Sequence, residues 1–190
     1  MLTKSHVKGT LDTSIYTTLR HAMIVNSDNL ISNVQKLVDR ADIERVLYEY
    51  AFHLDAADPE QMLPLFTADL HVAYGPNHGA VGAEAYLETL SNDKSGIASF
   101  FAATSHHVSN VVIDFTGADT ATVRSVLYAY HKYNRERPDG IVMGQYHDEF
   151  VRTPEGWKIK RRELKHAGTE NYHAKGAALN PIPRKSIQKA

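Results

Sequence analysis

The chain has 190 residues, 43% hydrophobic and 23% charged, with a formal net charge of −1. These values describe an ordinary globular domain, and near-neutrality removes any electrostatic reason to expect nucleic acid or an anionic membrane surface. Cysteine is absent, which excludes disulfides, thiol nucleophiles and zinc–thiolate centres.

Residues 1–32 mix Thr, Ser, Asn and His without sustained periodicity and read as an N-terminal extension with a short helical piece at 16–24. The early apolar run Ala22-Met23-Ile24-Val25 is shorter than a signal-peptide core or a membrane span, so a cytoplasmic protein is expected. Leu37, Ile43, Val46, Leu47, Tyr50 and Leu54 recur at helical spacing and predict a helix over 33–56. Asp58-Pro59-Glu60-Gln61 restarts a helix, with Asp as N-cap and Pro at the first helical position; Pro64 keeps it short. A short strand at 70–74, a loop at 75–79 and a third helix at 83–91 follow. Four strands are then expected at 105–115, 121–133, 141–152 and 157–165, joined by Thr116-Gly117-Ala118-Asp119, Arg137-Pro138-Asp139-Gly140 and Thr153-Pro154-Glu155-Gly156. Residues 171–190, with Pro181, Pro183 and basic side chains, read as a tail, leaving 33–170 as the domain. Helices followed by an antiparallel meander make an α+β fold with the helices on one face of the sheet.

Alternation assigns faces. His106, Val108, Asn110 and Val112 share one face of the first long strand, and His107 points the other way. Val123, Ser125, Leu127, Ala129 and His131 form an apolar row on the second. Tyr146 joins Val142, Gly144 and Phe150 on the third; on the last, Trp157, Ile159 and Arg161 face inward while Lys158, Lys160 and Arg162 face solvent. These rows outline an apolar pocket with a few polar groups, the usual form of a small-molecule site. Asp55 closes the long helix and His106 opens the strand, and a carboxylate holding an imidazole makes a general base working near neutral pH. His106-His107 is a poor chelate because the two rings diverge, so no metal is expected. Gly75, Gly79 and Gly82 lack phosphate-loop context, and the basic residues from Lys158 to Lys165 divide between two faces.

The run from Ala41 to Asp55, the strand from Thr104 to Phe115 and the pair Gly144-Gln145-Tyr146-His147-Asp148-Glu149-Phe150 and Gly156-Trp157-Lys158-Ile159-Lys160-Arg161-Arg162 resemble the SnoaL-like branch of the NTF2-like superfamily over about residues 35–168. That resemblance implies a cone of curved, mostly antiparallel sheet closed by N-terminal helices around one pocket. It implies Asp55 and His106 as the Asp–His dyad of the family's dehydratases and dehydrochlorinase, Tyr50 as a catalytic tyrosine and His131 as a second catalytic histidine. Leu54 stands where scytalone dehydratase has tyrosine, and Tyr146 aligns with its substrate-contacting asparagine, so no single member's set is reproduced.

Elimination would then use neutral His106 to take a carbon-bound proton, with Asp55 fixing its tautomer. Tyr50 would donate to the developing oxyanion or leaving hydroxyl, and His131 would protonate the leaving group directly or through water. Asn110, Tyr146, Val108, Leu127 and Trp157 would line the substrate site. The expected function is a cofactor-independent lyase, a dehydratase acting on a hydrophobic ring such as a steroid, terpenoid or polyketide product. The alternatives are an isomerase or cyclase using the same base, and a non-catalytic assembly module like the dioxygenase β subunits. The resemblance implies a homo-oligomer, trimer or dimer, whose contacts the N-terminal extension would serve, and a small-molecule partner rather than nucleic acid or membrane.

Overall fold

The computed structural model describes residues 13–76, 78–92, 97–173 and 180–183. The chain divides into two compact units, Met1–Asp39 and Arg40–Ala190. Helix α1 (Thr13–Asp55) absorbs both the short piece expected at 16–24 and the helix expected from 33, because the stretch between them contains no Pro or Gly to break it. In the first unit Leu30, Ile31, Val34, Leu37 and Val38 are exposed, so Leu37 does not belong to the core that its spacing suggests. Residues 1–12 of the expected extension, and 174–179 and 184–190 of the expected tail, lie outside the described residues.

In the second unit, Ile43, Val46, Leu47, Tyr50 and Leu54 are buried at helical spacing. Helix α2 (Pro59–Met62) starts as expected: the Asp58 carboxylate accepts the Gln61 N–H at 3.2 Å, and Pro occupies the first turn, where its missing N–H costs nothing. A 3-10 turn, Leu63–Leu65, leads into β1 (Phe66–Gly75), which folds back as a hairpin onto β2 (His78–Val81) in the stretch expected to be loop. Helix α3 (Ala83–Ser91) has the expected bounds, and a single turn, α4 (Ile97–Phe100), precedes the long strands. These are β3 (Phe101–Phe115), β4 (Thr120–Tyr133), β5 (Gly140–Thr153) and β6 (Gly156–Glu170).

The sheet runs β2-β1-β6-β5-β4-β3. All neighbours are antiparallel except β1 and β6, which are parallel, so the sheet is mixed. The architecture is the expected α+β, NTF2-like cone, with Phe66, Leu70, Tyr86, Val123, Phe150 and Ile159 in its core. Among the described residues, no helix is long and apolar enough to cross a membrane.

Two bulges overturn the strict alternation read from sequence. In β3 the register slips between Ser109 and Val112, with Asn110 at φ +50°, so Val111 and Ile113 turn inward while Asn110 and Val112 turn out. In β6 the register slips where Glu149 faces Arg161 and Phe150 faces Ile159. Lys160 is the extra residue, and Arg162 swings into the core at 0% exposure instead of facing solvent. One inserted residue exchanges the faces along its strand as far as the next slip.

Candidate active site

The last turn of α1 carries Asp55. Beyond it the Asp58 N–H bonds to the His53 carbonyl at 2.9 Å and Ala57 takes φ +52°, which ends the helix and leaves the carboxylate at its rim. Among the described residues, strand β3 supplies the hydrogen-bond partners of this carboxylate. Oδ1 accepts from the Thr104 hydroxyl at 2.7 Å and from His106 Nδ1 at 2.6 Å, while Oδ2 accepts the His106 backbone N–H at 2.8 Å. The His106 side chain is 7% exposed and that of Asp55 is 23% exposed, so the pair is shielded without being sealed. Partial burial pushes the Asp55 carboxyl up, but the His106 ring and amide, helped by Thr104, hold it below the usual range. An ionised carboxylate only accepts, so Nδ1 carries the hydrogen and Nε2 presents the lone pair.

Strand β4 brings the second histidine. Val123, Ser125, Leu127, Ala129 and His131 are buried along its inward face, as alternation predicts. The His131 ring stands edge-on to His106 at 5.4 Å and packs against Phe101 at 4.7 Å and Tyr172 at 4.9 Å. Among the described residues its buried Nδ1 has no hydrogen-bond partner. Burial, then the charge of a protonated His106, push its pKa down to about 4, against the pull of the Gly140 and Ala129 backbone. His131 is therefore neutral at ordinary pH.

Tyr50 is held elsewhere in the core. Its hydroxyl lies 2.7 Å from that of Tyr74 and 2.8 Å from that of Tyr86, and those two lie 2.9 Å apart, closing a triangle of phenols. Three hydroxyls in a ring can each donate once and accept once, so every hydrogen is used. Arg162 lies 4.1 Å over the Tyr50 ring and 4.2 Å over the Tyr146 ring, and makes a two-point bond to Asp148 at 2.9 and 2.7 Å. Burial drives the hydroxyls of Tyr74, Tyr86 and Tyr146 well above the usual phenol range, so they stay neutral donors. The hydrogen bonds and ring contacts of Tyr50 belong to this cluster and not to Asp55 or His106. The five-residue offset already turns the Tyr50 and Asp55 side chains about 140° apart around the helix.

The remaining residues expected at the site divide. Val108 is half-buried and Leu127, its partner across β3 and β4, is fully buried, two positions from His106 and four from His131 along their strands. Tyr146 is buried in the phenol cluster. Asn110 is exposed because the bulge turns it outward. Trp157 pairs with Arg152 and packs on Phe115 at the β5–β6 turn, whereas His106 shares a row with Ala129, Val142 and Thr169 near the other end of the sheet. Sequence reasoning passed over Thr104, although it lies two residues before His106 on the same face. It also passed over Phe101 and Tyr172, which reach His131 only through tertiary packing.

A SnoaL-like domain profile matches residues 35–163. A crystal structure from Novosphingobium aromaticivorans, named as a candidate scytalone dehydratase, is 47% identical, covers 81% of this chain and 99% of its own, and superposes with a TM-score of 0.75. A hexachlorocyclohexane dehydrochlorinase from Novosphingobium barchaimii shares the fold at 14% identity, covering 80% of this chain and 99% of its own with a TM-score of 0.66. An uncharacterized Mycobacterium tuberculosis protein is 26% identical over 136 residues, 71% of this chain and 90% of its own. The chain belongs to the SnoaL-like domain family, on the NTF2-like fold.

Proposed function

We propose that this protein is a cofactor-independent lyase that eliminates a leaving group, as a dehydratase does, from a hydrophobic cyclic small molecule. The observation that carries this reading is the 2.6 Å bond between Asp55 and His106 Nδ1, which leaves Nε2 as a free base in a shielded site. His106 Nε2 takes a proton from carbon beside an electron-withdrawing group. Asp55, fixed by Thr104, offsets the positive charge that develops on the ring. Two imidazolium rings 5.4 Å apart would repel, and Asp55 is bonded to only one of them, so the proton resides on His106 while His131 stays neutral. His131 then serves as a hydrogen-bonding group to substrate rather than as a cationic acid. The protonated His106 is the acid available to the leaving hydroxyl, so one ring takes the proton and returns it. The identity of 47% to a chain named as a candidate scytalone dehydratase supports an elimination of this kind.

The same base without a leaving group would give an isomerase or cyclase, and one experiment separates the two. Hydroxylated cyclic ketones are incubated with the protein in D2O and followed by ultraviolet absorbance and proton NMR. A new conjugated double bond marks elimination, and deuterium at the α-carbon without it marks enolisation. Turnover that survives in both His106→Ala and Asp55→Asn removes the dyad from the chemistry.

A further inference from the structure

The two histidines of the site are held by different means, and His131 poses the question of what keeps its ring in place. Asp55 fixes His106 through both a ring nitrogen and the backbone amide. His131 has no such carboxylate anchor: among the described residues its buried Nδ1 lacks a hydrogen-bond partner, the Gly140 and Ala129 backbone offers it only a partial polar contact, and its ring packs among others, edge-on to His106 and tilted against Phe101 and Tyr172. One of those rings, Tyr172, lies beyond the last strand in a stretch that composition assigns to a tail.

That stretch is fastened down by four hydrogen bonds. Asn171 takes φ +47°, a left-handed turn that redirects the chain after β6. Its carbonyl accepts from Arg137 Nη2 at 2.8 Å and from the Tyr133 hydroxyl at 3.5 Å. The same hydroxyl accepts the His173 N–H at 2.9 Å and lies 3.3 Å from His173 Nδ1. Arg137 stacks over the Tyr133 ring at 4.0 Å, and the His173 ring stacks on Phe100 at 5.4 Å and 6°. Even the start of β5 conforms to this packing. A Cβ on Gly140 would come within 3.1 Å of the Tyr133 ring and 3.2 Å of the Tyr172 ring, so a larger residue there would press on both phenols.

We propose that Tyr172 is a positioning residue for His131. Its ring and that of Phe101 form an aromatic clamp that orients the imidazole toward His106 and keeps water from it. The proposal rests on the reading of this site as a proton-transfer centre and adds to it a group from outside the strand framework. The titratable and charged groups around His131 are His106 on β3, with Asp55 of α1 behind it, Tyr133 on β4, and Tyr172 and His173 after β6. The carbonyl side of the balance comes from Gly140 and Ala129. Tyr172 itself stays a neutral phenol, its pKa pushed up to about 12 by burial and then by Tyr133. The clamp therefore adds no charge that could draw a proton onto His131, and its effect is desolvation and orientation.

The test reads His131 directly, without substrate. Protein labelled with nitrogen-15 in histidine is titrated by NMR as wild type, Tyr172→Phe, Tyr172→Leu and Tyr172→Ala. Wild-type His131 is expected to titrate near pH 4. Tyr172→Phe, which keeps the ring, should match it. In Tyr172→Ala water reaches the imidazole, and its titration should rise by about one pH unit or more. Tyr172→Leu supplies the same comparison if the alanine variant does not fold. An unchanged His131 titration in folded Tyr172→Ala or Tyr172→Leu overturns the proposal. On a substrate found by the D2O screen, Tyr172→Ala should lower kcat about tenfold with KM changed less than threefold, since misplacing a reacting group acts on the chemical step. Tyr172→Phe should restore the rate. Full turnover in His106→Ala overturns the underlying proton-transfer reading instead, whatever Tyr172 does.

Discussion

The Asp55 side of the site and the His131 side achieve order by opposite physics. Around Asp55, order comes from charge-assisted hydrogen bonds: one carboxylate accepts from Thr104, from a backbone amide and from an imidazole, all on one strand. Around His131, among the described residues, no carboxylate bonds the ring, Nδ1 lacks a partner, and order comes from aromatic rings contributed by β3 and by the segment after β6. On the proposed reading, the polar clamp readies His106 to gain a proton, whereas the apolar one keeps His131 neutral. The two rings stand 5.4 Å apart, so on the proposed reading one proton goes to one of two chemically identical groups.

The comparison is broken most severely at its polar end. His106→Ala should lower kcat/KM by about 10²- to 10⁴-fold, the usual contribution of a positioned general base. Asp55→Asn should approach the same loss, because the amide offers no charge to the developing imidazolium. Steady-state kinetics on a substrate from the screen check both, with circular dichroism to establish folding.

The apolar end predicts a pH effect on stability. Unfolded His131 gains its proton near pH 6.5 and folded His131 only near 4, so its contribution is fully present above 6.5 and lost as pH falls toward 4. The loss across that window is about 3 kcal/mol. Urea unfolding at pH 7 and pH 4.5 should therefore show a smaller acid loss in His131→Phe than in wild type. Equal losses would mean that His131 is solvated in the fold.

Thr104→Val tests a finer part of the polar clamp. It removes one of the donors that hold the Asp55 carboxyl low while preserving shape. A bond to a charged group contributes about 1.5–3 kcal/mol. Stability at pH 7 should fall by roughly that amount, and more of what remains should survive at low pH, because the depressed carboxyl contributes only above its own titration. At the small end, Asn110→Gly, which keeps the left-handed backbone, should leave kcat/KM within about twofold, since the bulge turns the Asn110 side chain to solvent. A tenfold loss there would return Asn110 to the site.

Helix and strand positions were legible where the signal is local. The Asp58-Pro59 restart, the α3 bounds and the inward row from Val123 to His131 follow from capping chemistry and period-2 alternation alone. The pairing of Asp55 with His106, 51 residues apart in sequence, was legible only through family resemblance, because no local rule brings a helix end to a strand start. Asn110 and Arg162 were misplaced for a common reason: an extra residue at or just before each reverses the faces along its strand as far as the next slip, and a bulge leaves no mark in composition.

By itself, the sequence determined most of the secondary elements, the α+β class and the residue types able to move a proton, since these depend on neighbours along the chain. The tertiary structure alone decided which of two histidines meets a carboxylate, where Arg162 is buried, and that Tyr172 returns to cover His131. Those outcomes depend on register, bulges and the path of the chain after its last strand, and each is set by contacts between residues far apart in sequence.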